Sequence, residues 1–299
     1  MFKNILIIGC GLIGSSLLRG IVKKKLTKHI YIFEKSKKNR LITKRLFKKV
    51  KFLKNLDNKI SNMDLIILAT PMSQYKNILK DVSKYITDKN IITDVGSTKN
   101  NVENLIKNNS ILDRNFILSH PIAGSEVSGP EYGNSKLFKN KWCVIIKNKN
   151  KKKLGLITKF WKKLGSRTVL MKTKEHDNIF SITSHLPHLV AYNLIKTALN
   201  FQQKNKNNII KFSAGGLRDF SRTAASNEIM WRDIFFSNDR NIINSIDMFI
   251  KNLKDFKKKI QNKNNKEILK ILKNSKKVRK QIIFMKQDVA KPNFGRDDS

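Results

Sequence analysis

The spacing of hydrophobic positions changes partway along this chain, and that change divides it in two. Asn4 to Ile8 is a short apolar run ending at a glycine, and Leu12 to Val22 carries apolar residues at helical spacing, so the chain opens strand, turn, helix. His29 to Phe33, rich in β-branched and aromatic residues, adds a second strand and completes a βαβ unit of about thirty residues. Further strands are predicted at Leu65 to Ala69, Ile91 to Asp94, Phe116 to Ser119 and Cys143 to Ile146, with helical or loop stretches between them. Strands alternating with helices imply an α/β fold built on a doubly wound, mainly parallel sheet. After Lys174 the strand signals stop. From Glu175 to Gln203, Ile179, Ile182, Leu186, Leu189, Val190, Leu194 and Ala198 recur at three and four positions, and from Trp231 onward every apolar stretch is helix-like. The expected organisation is an α/β domain over 1–172, an all-α domain over 173–287, and a tail over 288–299 that lacks periodicity and frays. Gln202 to Asn208 and Asn262 to Asn265 read as loops, and there is no internal repeat.

Composition narrows the class. At 299 residues with 40% hydrophobic and 28% charged positions, the chain is long enough for two cores and has an ordinary globular balance. It contains no run of about eighteen apolar residues, and its N-terminal apolar segment is broken by glycines and lacks a signal-peptide cleavage site, so no membrane or export role is expected. Cys10 and Cys143 lie far apart in apolar surroundings without zinc-ligand spacing, as expected of core thiols in a reducing cytoplasm, and no metal site is predicted. The formal net charge of +40 invites a nucleic-acid reading. Against it, the lysines are dispersed, few aromatics are interleaved with them, no nucleic-acid motif occurs, and Asn and Ile are abundant too, a pattern of compositional bias. No specific nucleic-acid partner is expected, although the charge should attract anionic substrates.

The chemistry-bearing motifs sit where the predicted strands end. Gly9, Gly11 and Gly14 form G-x-G-x-x-G between the first strand and the first helix. The first glycine permits a tight turn, the second lets backbone approach a pyrophosphate, and the third allows close helix packing. Leu12 and Ile13 open the helix whose N-terminus faces that phosphate, and Thr70 and Pro71 follow another strand end beside it. Glu34 lies 34 − 14 = 20 residues beyond the last glycine, where an acid binds the ribose hydroxyls of NAD. A carboxylate there disfavours a 2′-phosphate, although Lys35 and Lys37 could accommodate NADP. Ser97, in Asp94-Val95-Gly96-Ser97-Thr98-Lys99, and His120, in His120-Pro121-Ile122-Ala123-Gly124-Ser125-Glu126, follow other strands of the same predicted sheet, the edge at which α/β ligands bind. Taken alone, Ser97 reads as a helix cap and His120 as a loop histidine, and it is the glycine fingerprint that turns both toward the cofactor.

The segments GCGLIGSSL, DVGSTK, HPIAGSE, SHLPHLVA and GGLRDFSRTAASNEIMWRDI, in this order and spacing, resemble the prephenate/arogenate (cyclohexadienyl) dehydrogenase family from the N-terminus to beyond Trp231. The resemblance implies a Rossmann domain plus a helical domain that makes a homodimer, with the substrate between them. It implies NAD-dependent oxidative decarboxylation of prephenate or arogenate on the route to tyrosine, without a metal. His120 would accept the proton of the ring hydroxyl as general base, and Ser97 would orient His120 and touch the same hydroxyl. Arg222, in R-x-A-A-S, would bind a substrate carboxylate, a task suited to its planar fork of donors. His185 and His188 would line the substrate pocket, with His188 in direct contact; alone they read as a polar helix face or a metal pair. Glu126 and Asp219 would form an ionic gate with the site's arginine, and Trp231 would wall the substrate or serve as a core aromatic. The competing readings are a β-hydroxyacid dehydrogenase type of enzyme, which relies on a lysine of the helical domain rather than this histidine motif, and a basic nucleic-acid-binding redox sensor. The chain begins almost at its first strand and has little beyond its last helices. Neither a chorismate mutase domain nor an appended regulatory domain is therefore expected, and feedback by tyrosine would act near the active site.

Overall fold

The computed structural model describes residues 1–206, 208–285 and 287; the predicted tail over 288–299 lies outside the described residues. The first part alternates strands and helices: β1 Phe2–Ile8, α1 Leu12–Lys23, β2 Thr27–Phe33, α2 Lys37–Leu46, β3 Lys51–Phe52, β4 Leu65–Leu68, α3 Tyr75–Val82, β5 Ile91–Asp94, α4 Asn100–Ile106, α5 Ser110–Asn115 and β6 Phe116–Ile117. These six strands form one parallel sheet in the order β3-β2-β1-β4-β5-β6, the Rossmann order, in which the strand sequence reverses at β1. Every residue of β4 and β5 is buried, as a parallel strand covered on both faces must be.

A second sheet corrects the expectation of a single one. The predicted strand Phe116 to Ser119 breaks at Leu118, and β7 Ser119–Pro121 enters a three-stranded sheet with β8 Trp142–Ile146 and β9 Arg167–Met171. The physical cause lies at Ser119. Its amide donates to Asp94 Oδ1 (3.0 Å), its hydroxyl donates to Asp94 O (2.6 Å), and the Lys99 ammonium reaches both Asp94 Oδ2 (2.5 Å) and Ser119 O (2.8 Å). These bonds to β5 and its succeeding loop take the place of further parallel ladder bonds, and β8 then pairs antiparallel with β7. His120 therefore lies within a strand of the smaller sheet rather than beyond a strand end of the larger one. Helix α6, Lys151–Lys163, connects β8 to β9 and buries Leu154, Ile157, Phe160 and Trp161 in the same core as the inner face of β1 and α1.

Beyond Met171 the chain is helical: α7 Thr173–Phe180, α8 Leu186–Asn205, α9 Gly215–Ala224, α10 Glu228–Ser237, α11 Asp239–Gln261 and α12 Asn265–Phe284. Between α7 and α8, Ser181–His185 forms a π turn, so the helix predicted from Glu175 to Gln203 is continuous but contains one wide turn. That turn changes which face is buried. His176, Phe180, Ser181, His185 and Ala191 point inward, whereas Ile179, Ile182 and Leu194 of the predicted apolar stripe are exposed. The predicted loop from Gln202 also starts late, because α8 continues to Asn205 and ends at a left-handed Lys206.

Candidate active site

The glycine turn between β1 and α1 has the geometry that its sequence predicts. Gly9 has a φ of +92°, and a Cβ there would lie 2.6 Å from Ala69 O. A Cβ on Gly14 would lie 2.1 Å from Gly9 O, so only glycine lets α1 close onto the turn. At Gly11 a Cβ would meet nothing within 4 Å, because that position faces open space at the mouth of the helix. Leu12, Ile13 and Gly14 occupy the first turn of α1, where backbone N–H groups have no partner within the helix. Glu34 closes the other side: its carboxylate accepts from Cys10 N (2.7 Å) and Ser36 N (2.8 Å), which fixes it beside the turn at the end of β2. Thr70 and Pro71 come after β4, across from Gly9, and the buried Thr70 hydroxyl has no protein partner. A concavity of about 260 Å³ adjoins this edge, lined by Phe33, Lys35, Asn55, Leu56, Asn77, Ile78 and Asp81. A larger groove, about 410 Å³, runs along α6 and touches none of the predicted site residues.

A second cluster forms where the small sheet meets α7, α8 and α10. Four of the five histidines belong to it. His120 Nδ1 lies 2.8 Å from His176 Nε2, and His176 Nδ1 lies 2.7 Å from Asp177 Oδ1. Phe180 packs on both rings, at 5.0 and 4.5 Å between centroids. Asp177 also accepts from the amides of Lys99 (2.8 Å) and Asn100 (2.8 Å), which ties α7 to the loop after β5. Asn238, after α10, donates to Asp177 O (2.8 Å) and approaches His185 Nδ1 (3.2 Å). His188 stacks on Trp231 at 3.7 Å, and its Nδ1 donates to Ser184 O.

Burial controls the protonation of these rings. His120 is held well below the ordinary imidazole range, first by desolvation and then by His176, Lys99 and His185. His185 is lowered to about 4, mainly by desolvation. His176 and His188 are also lowered by burial, opposed at His176 by Asp177 and at His188 by the Ser184 carbonyl. Each of these shifts favours the neutral imidazole at physiological pH. Cys10 and Cys143 are buried free thiols; desolvation raises Cys10 to about 11 and pushes Cys143 well up, so neither is a poised nucleophile.

The remaining predicted residues divide. Arg222, on α9, faces Glu126 at 3.8 Å, and its buried Nε has no partner. Asp219 is exposed and makes no ion pair with Arg222 among the described residues. No hydrogen bond joins Ser97 to His120 among the described residues; the partner of the His120 ring is His176. The sequence reading missed His176, Asp177 and the fully buried Lys99–Asp94 pair. The available signal was the His-Asp dipeptide four positions before Phe180 on a helix already predicted, together with a lysine closing the DVGSTK segment. No group of three or more potential metal ligands occurs among the described residues.

Known proteins share this fold and sequence pattern over most of the chain. The Aquifex aeolicus prephenate dehydrogenase structure in complex with hydroxyphenyl propionate and NAD+ superposes with a TM-score of 0.87 at 30% identity, covering 94% of this chain and 99% of that one. Synechocystis arogenate dehydrogenase shares the fold, with a TM-score of 0.75 at 22% identity over 93% of this chain and 99% of its own. The cyclohexadienyl dehydrogenase of Zymomonas mobilis is 30% identical over 93% of this chain and 96% of its own length. The prephenate dehydrogenase of Lactococcus lactis is 31% identical over 98% of this chain and 80% of its own. The family described as prephenate dehydrogenase, nucleotide-binding domain, matches residues 19–170, and the family described as prephenate dehydrogenase, dimerization domain, matches residues 172–274. One match takes in most of the sheet half and the other most of the helical half, and on that coverage the chain belongs to the prephenate dehydrogenase family.

Proposed function

We propose that this enzyme oxidatively decarboxylates a cyclohexadienyl acid, prephenate or arogenate, with NAD, on the route to tyrosine. One observation carries the reading. Buried side-chain polar atoms rarely lack partners, because each costs about 1 to 3 kcal/mol, yet among the described residues Thr70 Oγ1, His185 Nε2, Arg222 Nε, Trp231 Nε1 and Gln202 Oε1 do, and all but Gln202 belong to the two predicted binding regions. A bound cofactor and substrate would complete them.

The residues present fit NAD. The open space at Gly11, the free N–H groups of the first turn of α1 and the orphaned Thr70 hydroxyl suit a pyrophosphate and the ribose beyond it. Glu34 has acceptor capacity left for ribose hydroxyls. Bound NAD supplies the two-electron acceptor. His120 takes the proton of the ring hydroxyl, which its burial keeps it free to do. Ser97, in the loop after β5, contacts the same hydroxyl. Arg222 exchanges its loose contact with Glu126 for a substrate carboxylate, and the His188–Trp231 stack walls the substrate, with His185 Nε2 and Trp231 Nε1 as donors to it. Loss of the ring carboxylate as carbon dioxide leaves an aromatic ring, which is the thermodynamic drive.

The helical half forms a homodimer. Helix α11 alone exposes Ile243, Met248, Ile250, Leu253 and Ile260, and neither α9 nor α12 buries any residue within the single chain. An apolar area of that extent is a protein interface. No described helix is long and apolar enough to cross a membrane. Steady-state assays with prephenate and arogenate, each with NAD and NADP, test the reading. Turnover of at least one acid is expected, and activity only on a β-hydroxy acid would replace this function with the competing enzyme class.

A further inference from the structure

Among the described residues, His120 makes its only side-chain hydrogen bond through Nδ1. Asp177 accepts two backbone amides besides the His176 ring, so toward His176 it acts as an acceptor. His176 Nδ1 therefore carries the proton. In a neutral imidazole the other nitrogen is then bare, so His176 Nε2 accepts and His120 Nδ1 must donate. The same rule applied once more leaves His120 Nε2 without a proton. Buried surroundings allow few alternatives: His176 and Asp177 are at most 1% exposed, His120 is 8% exposed, and Phe180 covers both rings.

We propose that His176 and Asp177 are positioning residues for His120, fixing the tautomer whose bare Nε2 is the base and sharing the positive charge that proton uptake creates. This rests on His120 being the base. When the substrate O–H bond breaks, an N–H bond forms at His120 Nε2. The Nδ1 proton is then drawn toward His176 Nε2, and the His176 Nδ1 proton stays hydrogen-bonded to Asp177 Oδ1. No atom or electron is gained from outside. The relay has a reason to exist at this position, because Lys99, fully buried and satisfied by Asp94 and Ser119, lies near enough to oppose a second positive charge. Asp177 offsets that opposition at one remove, as the carboxylate behind a catalytic imidazole does elsewhere. The π turn also contributes: it inserts an extra residue after Phe180, so His176, Phe180 and His185 share one face of the helix.

The test uses the full-length enzyme and three readouts. His176→Phe keeps a ring of similar shape but cannot accept; it should lower kcat by roughly ten- to a hundredfold, the scale of outer partners to a functional imidazole, with KM for the cyclohexadienyl acid and Kd for NAD within about twofold of wild type. His176→Gln restores an acceptor near the Nε2 position and should recover part of that loss. Nitrogen-15 spectra of the free protein should show His120 protonated at Nδ1 and bare at Nε2. Wild-type kcat in His176→Phe, a His120 protonated at Nε2, or a loss shared equally by Gln and Phe together with weakened NAD binding would each overturn the proposal, the last by showing that His176 only packs. His120→Asn separates the two levels: full turnover in that variant would remove the base assignment itself, whatever the His176 variants do.

Discussion

Replacing Arg222 by glutamine should weaken substrate binding far more than chemistry. In the free protein the Arg222 guanidinium is committed to little: Glu126 lies 3.8 Å away, both side chains are about a third or more exposed, and the buried Nε is unpaired. A pair of that kind contributes at most about 1 kcal/mol, so it is easily given up. A substrate carboxylate that takes its place, meeting Nε as well as a terminal nitrogen, makes a charge-assisted contact of about 1.5 to 3 kcal/mol. The difference that Arg222→Gln removes is roughly ten- to a hundredfold in affinity. KM for prephenate or arogenate should rise by that factor, kcat should change less, and Kd for NAD should not move. Lysine should rescue only part of the loss, since it keeps the charge without the fork. Glu126→Gln, which removes the competitor, should lower KM or leave it within about fivefold, the scale of a half-exposed ion pair. Initial-rate kinetics over both substrates, with fluorescence titration of NAD, distinguish the outcomes. A collapse of kcat at constant KM in Arg222→Gln would place the arginine in the transition state and refute its assignment to ground-state binding.

His120→Asn should lower kcat by roughly two to four orders of magnitude with NAD binding intact, as measured by stopped-flow turnover; a wild-type rate would eliminate it as the base. Glu34→Ser should shift the ratio of kcat/KM for NAD over NADP toward NADP, and an unchanged ratio would detach Glu34 from the ribose. Lys99→Met leaves Asp94 buried without its cation and should cost about 3 to 5 kcal/mol in chemical denaturation; a change below about 1 kcal/mol would mean that Asp94 is satisfied without it. The folded pKa values of His120, His176 and His185 are lowered, so below about pH 6.5 the unfolded chain binds protons that the folded one does not. Unfolding free energy should therefore fall as pH drops from about 6.5 toward the His185 value of about 4; a flat profile over that window would show that these rings charge freely in the fold. Leu253→Glu on α11 should convert a dimer to monomers in sedimentation, and a wild-type profile would place the interface on another face.

Features that depend on local spacing were legible in the sequence. The glycine turn could be read because each glycine answers a steric demand within its own βαβ unit: Gly9 a left-handed φ, Gly14 a 2.1 Å clash with Gly9 O, and Gly11 an open side. Glu34 could be placed because a βαβ unit has a nearly fixed length. Strand positions came from apolar runs, and the boundary of β5 was found to the residue. The break at Leu118 was not legible, because it is produced by Lys99 and Asp94, 20 and 25 positions before Ser119, whose charges look like surface charges until the fold buries them. A lysine with no exposed surface goes against every compositional expectation, and only the converging carboxylate and carbonyl explain it.

The π turn accounts for the other misreading and connects it to the chemistry. A regular helix of period 3.6 would carry the stripe Ile179, Ile182, Leu186, Leu189 on one side and would place His176 and His185, nine residues apart, about 180° out of phase. Inserting one residue's worth of rotation at Ser181–His185 brings His185 back toward the face of His176 and Phe180, and Ile179 and Ile182 lie exposed on the helix. One local irregularity thus puts His176, Phe180 and His185 on one face while Ile179 and Ile182 stay exposed. Three-and-four spacing cannot reveal this, because the apolar residues keep helical spacing whichever way they face. The histidines carry the better signal, since nothing but a shared site requires four of five to lie within reach of one another.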